Sequence, residues 1–194
     1  MKIVIIKYNA GNVFSVASAL RRLGYDSIIS RDAKAIKQAD KIIFPGVGEA
    51  SGAMSFLRET GLDILIPKLE KPFLGICLGL QLLCQYSEEG NAECLGIFDQ
   101  KAKLFPPGNK IPHMGWNEIK HNGGKLFTGL TDKPFVYFVH SYYAGLSEFT
   151  IAETDYILPF SSALRKDNFY ALQFHPEKSG KTGEQILKNF IELI

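Results

Sequence analysis

The sequence predicts an α/β fold: a doubly wound, mostly parallel sheet with an antiparallel annex, built as a single domain over residues 1–194. Three observations predict it. Apolar strand-like runs alternate with helical periodicity over roughly the first ninety residues, the pattern of a parallel sheet. Between residues 97 and 144 glycines and prolines thicken, as in Pro106-Pro107-Gly108 and Gly123-Gly124, and strand-like pieces dominate. The chain then returns to apolar strands and closes on an amphipathic helical pattern.

The elements follow in order. Residues 2–8 read as a buried first strand, and Asn9-Ala10-Gly11-Asn12 breaks it with N-cap chemistry. Val13, Val16, Ala17 and Leu20 recur at helical spacing, and Gly24 stands where a helix C′ glycine belongs. Residues 27–29 and 41–44 are short strands, the second closed by Pro45. Residues 50–57 and 64–69 read as helical, 73–76 as a strand and 80–86 as a helix. In the annex 135–139 is the strongest strand, followed by strands at 163–165 and 169–174. Ile186, Leu187, Phe190, Ile191 and Ile194 form the apolar stripe of a last helix.

Composition narrows the function by exclusion. A hydrophobic content of 46% and a charged content of 22% are those of an ordinary globular chain. A net charge of +2 with no like-charged block gives no sign of a nucleic-acid partner. The N-terminal apolar run, residues 3–6, is too short for a signal peptide or a membrane span. Three cysteines without a Cys-x-x-Cys pair make neither a disulfide framework nor a zinc site. The expectation is a cytoplasmic protein with reduced thiols, no metal and no cofactor.

The chemistry concentrates in three segments. Gly75-Ile76-Cys77-Leu78-Gly79 sits at a strand-to-helix junction and is the thiol form of a nucleophile elbow. The tight turn leaves room only for glycine at 75 and 79, lifts Cys77 above the sheet and aims helix-start N–H groups at whatever the thiol attacks. Pro45-Gly46-Val47-Gly48 follows a strand at the sheet's carboxyl edge, where α/β folds bind ligands, and Val47 and Leu78 together offer two backbone donors for an oxyanion. In His175-Pro176-Glu177 an extended chain places residues i and i+2 on one face, so Glu177 reaches His175 and fixes its tautomer. Taken singly, each has an ordinary reading: a small buried cysteine, a strand-end histidine, a strand-to-helix loop. Neither Gly-x-Gly-x-x-Gly nor a Walker lysine pattern is present.

Taken together and in this order, Pro-Gly-Val-Gly, Gly-Ile-Cys-Leu-Gly-Leu-Gln and Gln-Phe-His-Pro-Glu-Lys-Ser resemble the triad-type (class I) glutamine amidotransferases over nearly the whole chain. The resemblance implies that family's flavodoxin-like sheet and the following roles. Cys77 attacks the side-chain carboxamide of L-glutamine, the N–H groups of Val47 and Leu78 hold the oxyanion, His175 moves protons and Glu177 orients it. Gln81 and Glu89 face the amino-acid end of the substrate, and the backbone of Gly48, Ser141 and Tyr142 holds its carboxylate. His113 and His121 read as non-catalytic, Cys84 and Cys94 as core or loop thiols.

Within the family, Tyr8-Asn9-Ala10-Gly11-Asn12 and Pro112-His113-Met114-Gly115-Trp116-Asn117 resemble the branch of glutaminase subunits that serve imidazole glycerol phosphate synthases in histidine biosynthesis. That branch implies a heterodimer with a synthase (cyclase) subunit of (β/α)8-barrel type. The chemistry agrees, because ammonia released into water protonates and loses its nucleophilicity, and no second domain is expected here to consume it. Expected partner contacts are Asn12, Trp116 and Lys181 in the 178–181 stretch. Lys7 departs from the aspartate of many relatives, which leaves open a paralogue serving another synthase, such as an amidine-forming sugar-modifying enzyme. A γ-glutamyl hydrolase and a catalytically silent binding module also stay open at this point.

Overall fold

Two apolar layers on either face of one sheet account for the architecture. In the first half of the chain β1 (Ile3–Ile6), α1 (Val13–Arg22), β2 (Ser27–Ser30), α2 (Ala33–Lys37), β3 (Lys41–Gly46), α3 (Ala50–Glu59), α4 (Leu62–Leu65), β4 (Phe73–Cys77) and α5 (Leu78–Leu83) follow one another. The rest comprises β5 (Cys84–Ser87), β6 (Ala92–Glu93), β7 (Phe98–Leu104), β8 (His113–Glu118), β9 (Lys120–His121), β10 (Phe135–His140), β11 (Tyr142–Ala144), β12 (Thr150–Asp155), β13 (Pro159–Lys166), β14 (Phe169–Leu172) and α6 (Gly180–Leu193). This computed structural model describes residues 1–8 and 12–194. The turn expected over 9–11 lies outside the described residues. No described helix is long and apolar enough to cross a membrane.

The main sheet runs β2-β1-β3-β4-β14-β13-β12-β9. The first five strands are parallel, and β13, β12 and β9 extend the sheet antiparallel. Covered on both faces, β1 and β4 are buried along their whole length, as unbroken apolar strands must be. Side chains alternate between the layers: Ile3 and Ile5 pack with Val16, Leu20, Ile186 and Phe190 under α1 and α6, whereas Val4 and Ile6 pack with Ala53 and Leu57 under α3. The annex adds the pair β10-β8 and the small sheet β11-β7-β5-β6, antiparallel except where β5 meets β7.

Several expected boundaries move, each for a local reason. Pro45 does not close β3. Pairing with β1 ends at Ile43 while pairing with β4 continues to Gly46, so Pro45 occupies an edge-like position where its missing N–H is tolerated. The helix expected over 64–69 is α4 ending at Leu65 and a 3-10 turn over Ile66–Lys68 that contains Pro67. The helix expected over 80–86 begins at Leu78 and stops at Leu83; Cys84 turns extended, and Cys84–Ser87 becomes β5. All six residues of α5 are buried, so no polar face marks where it ends. The five-residue α2, N-capped by Asp32 accepting from the Ala35 N–H at 2.8 Å, is too short to show a period.

α5 lies against β3 through a bare backbone. A Cβ on Gly79 would meet the Phe44 carbonyl oxygen at 2.0 Å, and one on Gly75 would meet Leu83 Cδ1 at 2.8 Å. In an ordinary helix interior Gly→Ala stabilises by about 1 kcal/mol. At position 79 the sign reverses: Gly79→Ala is expected to destabilise by about 1–3 kcal/mol, the usual cost of forcing atoms into a packed interior. Urea unfolding of the two proteins measures this, and an unchanged or raised midpoint would refute the close approach.

Candidate active site

Cys77 ends β4 and occupies the N-cap position of α5 with φ +55° and ψ −110°. It is one of three non-glycine residues with positive φ among the described residues. The strand below and the helix above hold the turn, and the glycine contacts at 75 and 79 leave no wider path for the chain. The thiol is nearly buried, with Sγ 3.8 Å from the Val139 carbonyl oxygen of β10 and 3.9 Å from Gln173 Nε2.

His175 follows β14, the neighbour of β4, and is anchored at three points. Its N–H donates to the Tyr137 carbonyl at 2.9 Å; Ser179 Oγ donates to its carbonyl at 2.6 Å and accepts from the Tyr137 N–H at 2.9 Å. The link to Glu177 forms, though not through strand alternation. His175 is extended, but Pro176–Lys178 closes into a 3-10 turn that swings Glu177 back under the ring. His175 Nδ1 donates to Glu177 Oε1 at 2.8 Å, and the two side chains are 1% and 0% exposed.

Burial opposes a charge on the His175 ring. The interactions with Cys77 and Glu177 outweigh it and push the pKa up to about 10. His175 Nε2 has no hydrogen-bond partner of good geometry among the described residues, yet the ring stands close enough to Cys77 for hydrogen bonding and charge together to raise its pKa. Asn12, expected to offer N-cap chemistry, makes no side-chain cap bond to α1; its Nδ2 donates to Glu177 Oε1 at 2.6 Å.

A cavity of about 300 Å³ opens in front of the thiol. It brings together Val47, Gly48, Cys77, Leu78, Gln81, Glu89, Ser141 and Tyr142, all expected from the sequence, and adds Pro112, Val139 and His140. Its size suits a small polar ligand better than a drug-sized one. Gly48 holds φ +123° in the loop after β3, a conformation that favours glycine, and Val47 before it is 40% exposed. Gln81 is buried rather than on a helix surface, and its Nε2 donates to the Tyr142 carbonyl at 3.1 Å. Glu89 is half-buried and accepts from the Ala50 N–H at 3.0 Å; burial raises its pKa, that bond lowers it, and the charge of Glu49 raises it again.

Of the expected partner contacts, Trp116 is 55% exposed on β8 and Lys181 is exposed at the start of α6. The start of α6 lies near Trp116, whose Cη2 is 4.0 Å from where a Gly180 Cβ would be. Lys7 lines a different cavity, with Arg31 and Asp32, and does not enter the one at Cys77. Sequence reasoning passed over Gln173 and Tyr8. Gln173 precedes His175 by two residues, a period-2 signal that places both on one face. Tyr8 is buried with a hydroxyl that has no partner among the described residues, and burial first, then the charge of Cys77, raise its pKa.

Comparison with known proteins agrees with this geometry. The family model for class-I glutamine amidotransferases matches residues 4–193. The chain is 61% identical to imidazole glycerol phosphate synthase subunit HisH of Bacteroides fragilis strain YCH46, covering 100% of both chains. It is 46% identical to the subunit of that name from Escherichia coli K12, again over 100% of both. Among solved structures, a glutamine amidotransferase at 20% identity superposes with a TM-score of 0.77 over 98% of this chain and 97% of that one. PurLQS from Thermotoga maritima, at 16% identity, gives 0.76 over 99% and 98%. At such identities the structural likeness speaks for the fold, and the sequence matches carry the assignment: the chain belongs to the class-I glutamine amidotransferase family.

Proposed function

We propose that this chain is the glutaminase subunit of an imidazole glycerol phosphate synthase. It hydrolyses L-glutamine to glutamate and ammonia through a thioester on Cys77 and passes the ammonia to a (β/α)8-barrel cyclase subunit for histidine biosynthesis. The observation that carries the reading is Cys77 at the wall of one small cavity with the His175–Glu177 pair coupled to its thiol, in a chain that matches subunits of that name over their full length. Three free cysteines suit the reducing cytoplasm as its location.

The proton count closes over one turnover. Cys77 sulfur attacks the carboxamide carbon as a thiolate, and the N–H groups of Val47 and Leu78 take the charge that develops on oxygen. His175 holds a proton at neutral pH because its pKa stands near 10. It delivers that proton to the leaving nitrogen, the C–N bond breaks and ammonia departs, leaving the glutamyl thioester and a neutral imidazole. A water molecule then gives His175 a proton while its oxygen attacks the thioester carbon. The C–S bond breaks, the sulfur leaves as thiolate, and the new carboxyl group, which carries the second proton of water, ionises in solution to give glutamate. Glu177, accepting from Nδ1, keeps Nε2 as the working nitrogen, and Asn12 steadies that carboxylate.

Partner dependence separates a synthase subunit from a free-standing enzyme. A γ-glutamyl hydrolase working in water gains nothing from a partner, whereas a synthase subunit needs a cover over the site before ammonia escapes. The exposed Trp116, close to the start of α6, offers that cover an aromatic anchor.

Cys77→Ala in the complex is expected to lower glutamine-dependent synthesis by more than ~10³-fold while leaving synthesis fed with ammonium salt intact. Loss of both activities would make Cys77 structural. A second expectation concerns charge. Cys77 and Glu177 both raise the His175 pKa, so Glu177→Gln must lower it from about 10 toward the ordinary 6.5, as ¹⁵N NMR of the ring reports. The linkage follows the same sign. A raised folded-state pKa gives stability that is complete below about pH 6.5 and lost as pH climbs toward 10, and Glu177→Gln narrows that window. An unmoved ring titration would remove Glu177 from the triad.

A further inference from the structure

Behind the substrate cavity a second polar array crosses the annex, and the proton transfers above make no use of it. Asn117 of β8 is fixed at both ends of its amide: Nδ2 donates to the Asp155 carbonyl at 3.0 Å and Oδ1 accepts from the Glu118 N–H at 2.8 Å. The same Nδ2 lies 3.3 Å from His113 Nε2. His113 Nδ1 lies 3.1 Å from His140 Nε2, and His140 Nδ1 lies 2.8 Å from the Tyr142 carbonyl. A carbonyl only accepts, so the His140 proton sits on Nδ1 and its Nε2 accepts in turn. His113 therefore also carries its proton on Nδ1, leaving Nε2 to accept from Asn117. Working from the Asn117 end gives the same answer.

Strand register and packing hold this chain of bonds in place. His113 of β8 stands directly opposite His140 of β10 in the antiparallel ladder. Both rings are buried, and His113 stacks on Tyr156 at 4.0 Å and on Phe138 at 4.6 Å. Burial pushes His113 down to about 4 and is the main cause that takes His140 to about 3, so both rings stay neutral. An extra proton on either ring would set two donors face to face. Buried polar groups on this scale are costly unless fully satisfied, and here each ring nitrogen has a partner.

The chain of bonds ends at the substrate wall. The Tyr142 carbonyl accepts both from His140 Nδ1 and from Gln81 Nε2, and Gln81 Nε2 lies 3.4 Å from Gln173 Oε1. We propose that His113 and His140 form a positioning relay, which aims the Ser141–Tyr142 backbone at the α-carboxylate of glutamine and holds the Gln81 amide toward its amino-acid end. This relay presupposes the reading of Ser141, Tyr142 and Gln81 as substrate-binding groups. It gives His113, expected from the sequence to be a bystander, a role at one remove from the chemistry. Groups already held in their bound geometry bind without the cost of ordering, so a carbonyl pinned by two bonds acts on the affinity for glutamine.

In the wild-type full chain, ¹⁵N NMR should find both rings neutral with the proton on Nδ1, and a proton on Nε2 of His140 overturns the relay. In the synthase complex, His140→Phe should raise the KM for glutamine about tenfold or more while kcat stays within about threefold and ammonium-fed synthesis is unchanged. His140→Asn keeps an N–H where Nδ1 was and should bring KM back to within about threefold of wild type. Equal KM values for the Phe and Asn variants, or a wild-type KM in His140→Phe, overturn the relay. If His140→Phe does not assemble, His113→Phe against His113→Asn makes the same comparison one link further out, and equal KM values there overturn it too. Gln81→Ala separates the two levels. An unchanged KM in that variant overturns the substrate-binding reading itself, whereas a raised KM there with a wild-type KM in His140→Phe overturns the relay alone.

Discussion

The backbone of Cys77, held at φ +55° and ψ −110°, is the constraint on which the rest of the site depends. Such a conformation costs a residue with a side chain about 1–3 kcal/mol. It persists because the flanking elements are over-determined. β4 is buried throughout, α5 is buried on every side, and α5 can approach β3 only where Gly79 leaves the Phe44 carbonyl uncrowded. Leu78, Leu80, Leu82 and Leu83 are each 2% exposed or less, and burying a leucine side chain stabilises by about 1.5–3 kcal/mol. Together they outweigh the strain of one residue. The turn that lifts the thiol is thus held by a core that does no chemistry.

Topology then supplies what local geometry cannot. Cys77 and Gln173 are 96 residues apart, yet β14 lies beside β4 and parallel to it, with Leu172 opposite Ile76. The residues that follow each strand emerge at the same carboxyl edge of the sheet, where open α/β sheets place their ligands. β10 binds the two segments together: Val139 offers its carbonyl to the thiol, and Tyr137 ties down His175 and Ser179. The annex is therefore more than a cover. It supplies one wall of the cavity and the clamp on the histidine.

Much of this was legible in the sequence, and the reasons divide cleanly. Glycines at 75 and 79 announced the elbow because close backbone approach excludes every other side chain there. His175 and Glu177 were legible as a pair, although a 3-10 turn rather than strand alternation joins them. The end of α5 was illegible because a helix buried on all sides shows no polar face, so the same apolar letters serve α5 and the start of β5. Asn12 on Glu177 and His113 on His140 were illegible for another reason. Each contact depends on how segments distant in the chain come together, which no local period encodes.

The histidines make the last point about how the site is built. His175 and His140 are both buried, yet the first is driven up to about 10 and the second down to about 3. Burial alone pushes both the same way, so the partners decide. His175 faces a carboxylate and a thiol, whereas the nearest partners of His140 are a carbonyl and a neutral imidazole. The positive ring of His175 itself adds to the forces that keep His140 uncharged. One imidazolium is matched by charges around it; a second beside it would have no counter-ion, and its extra N–H on Nε2 would face the His113 Nδ1–H and break the bond between the two rings. The same residue type thus serves as the mobile proton store after β14 and as a fixed neutral strut on β10.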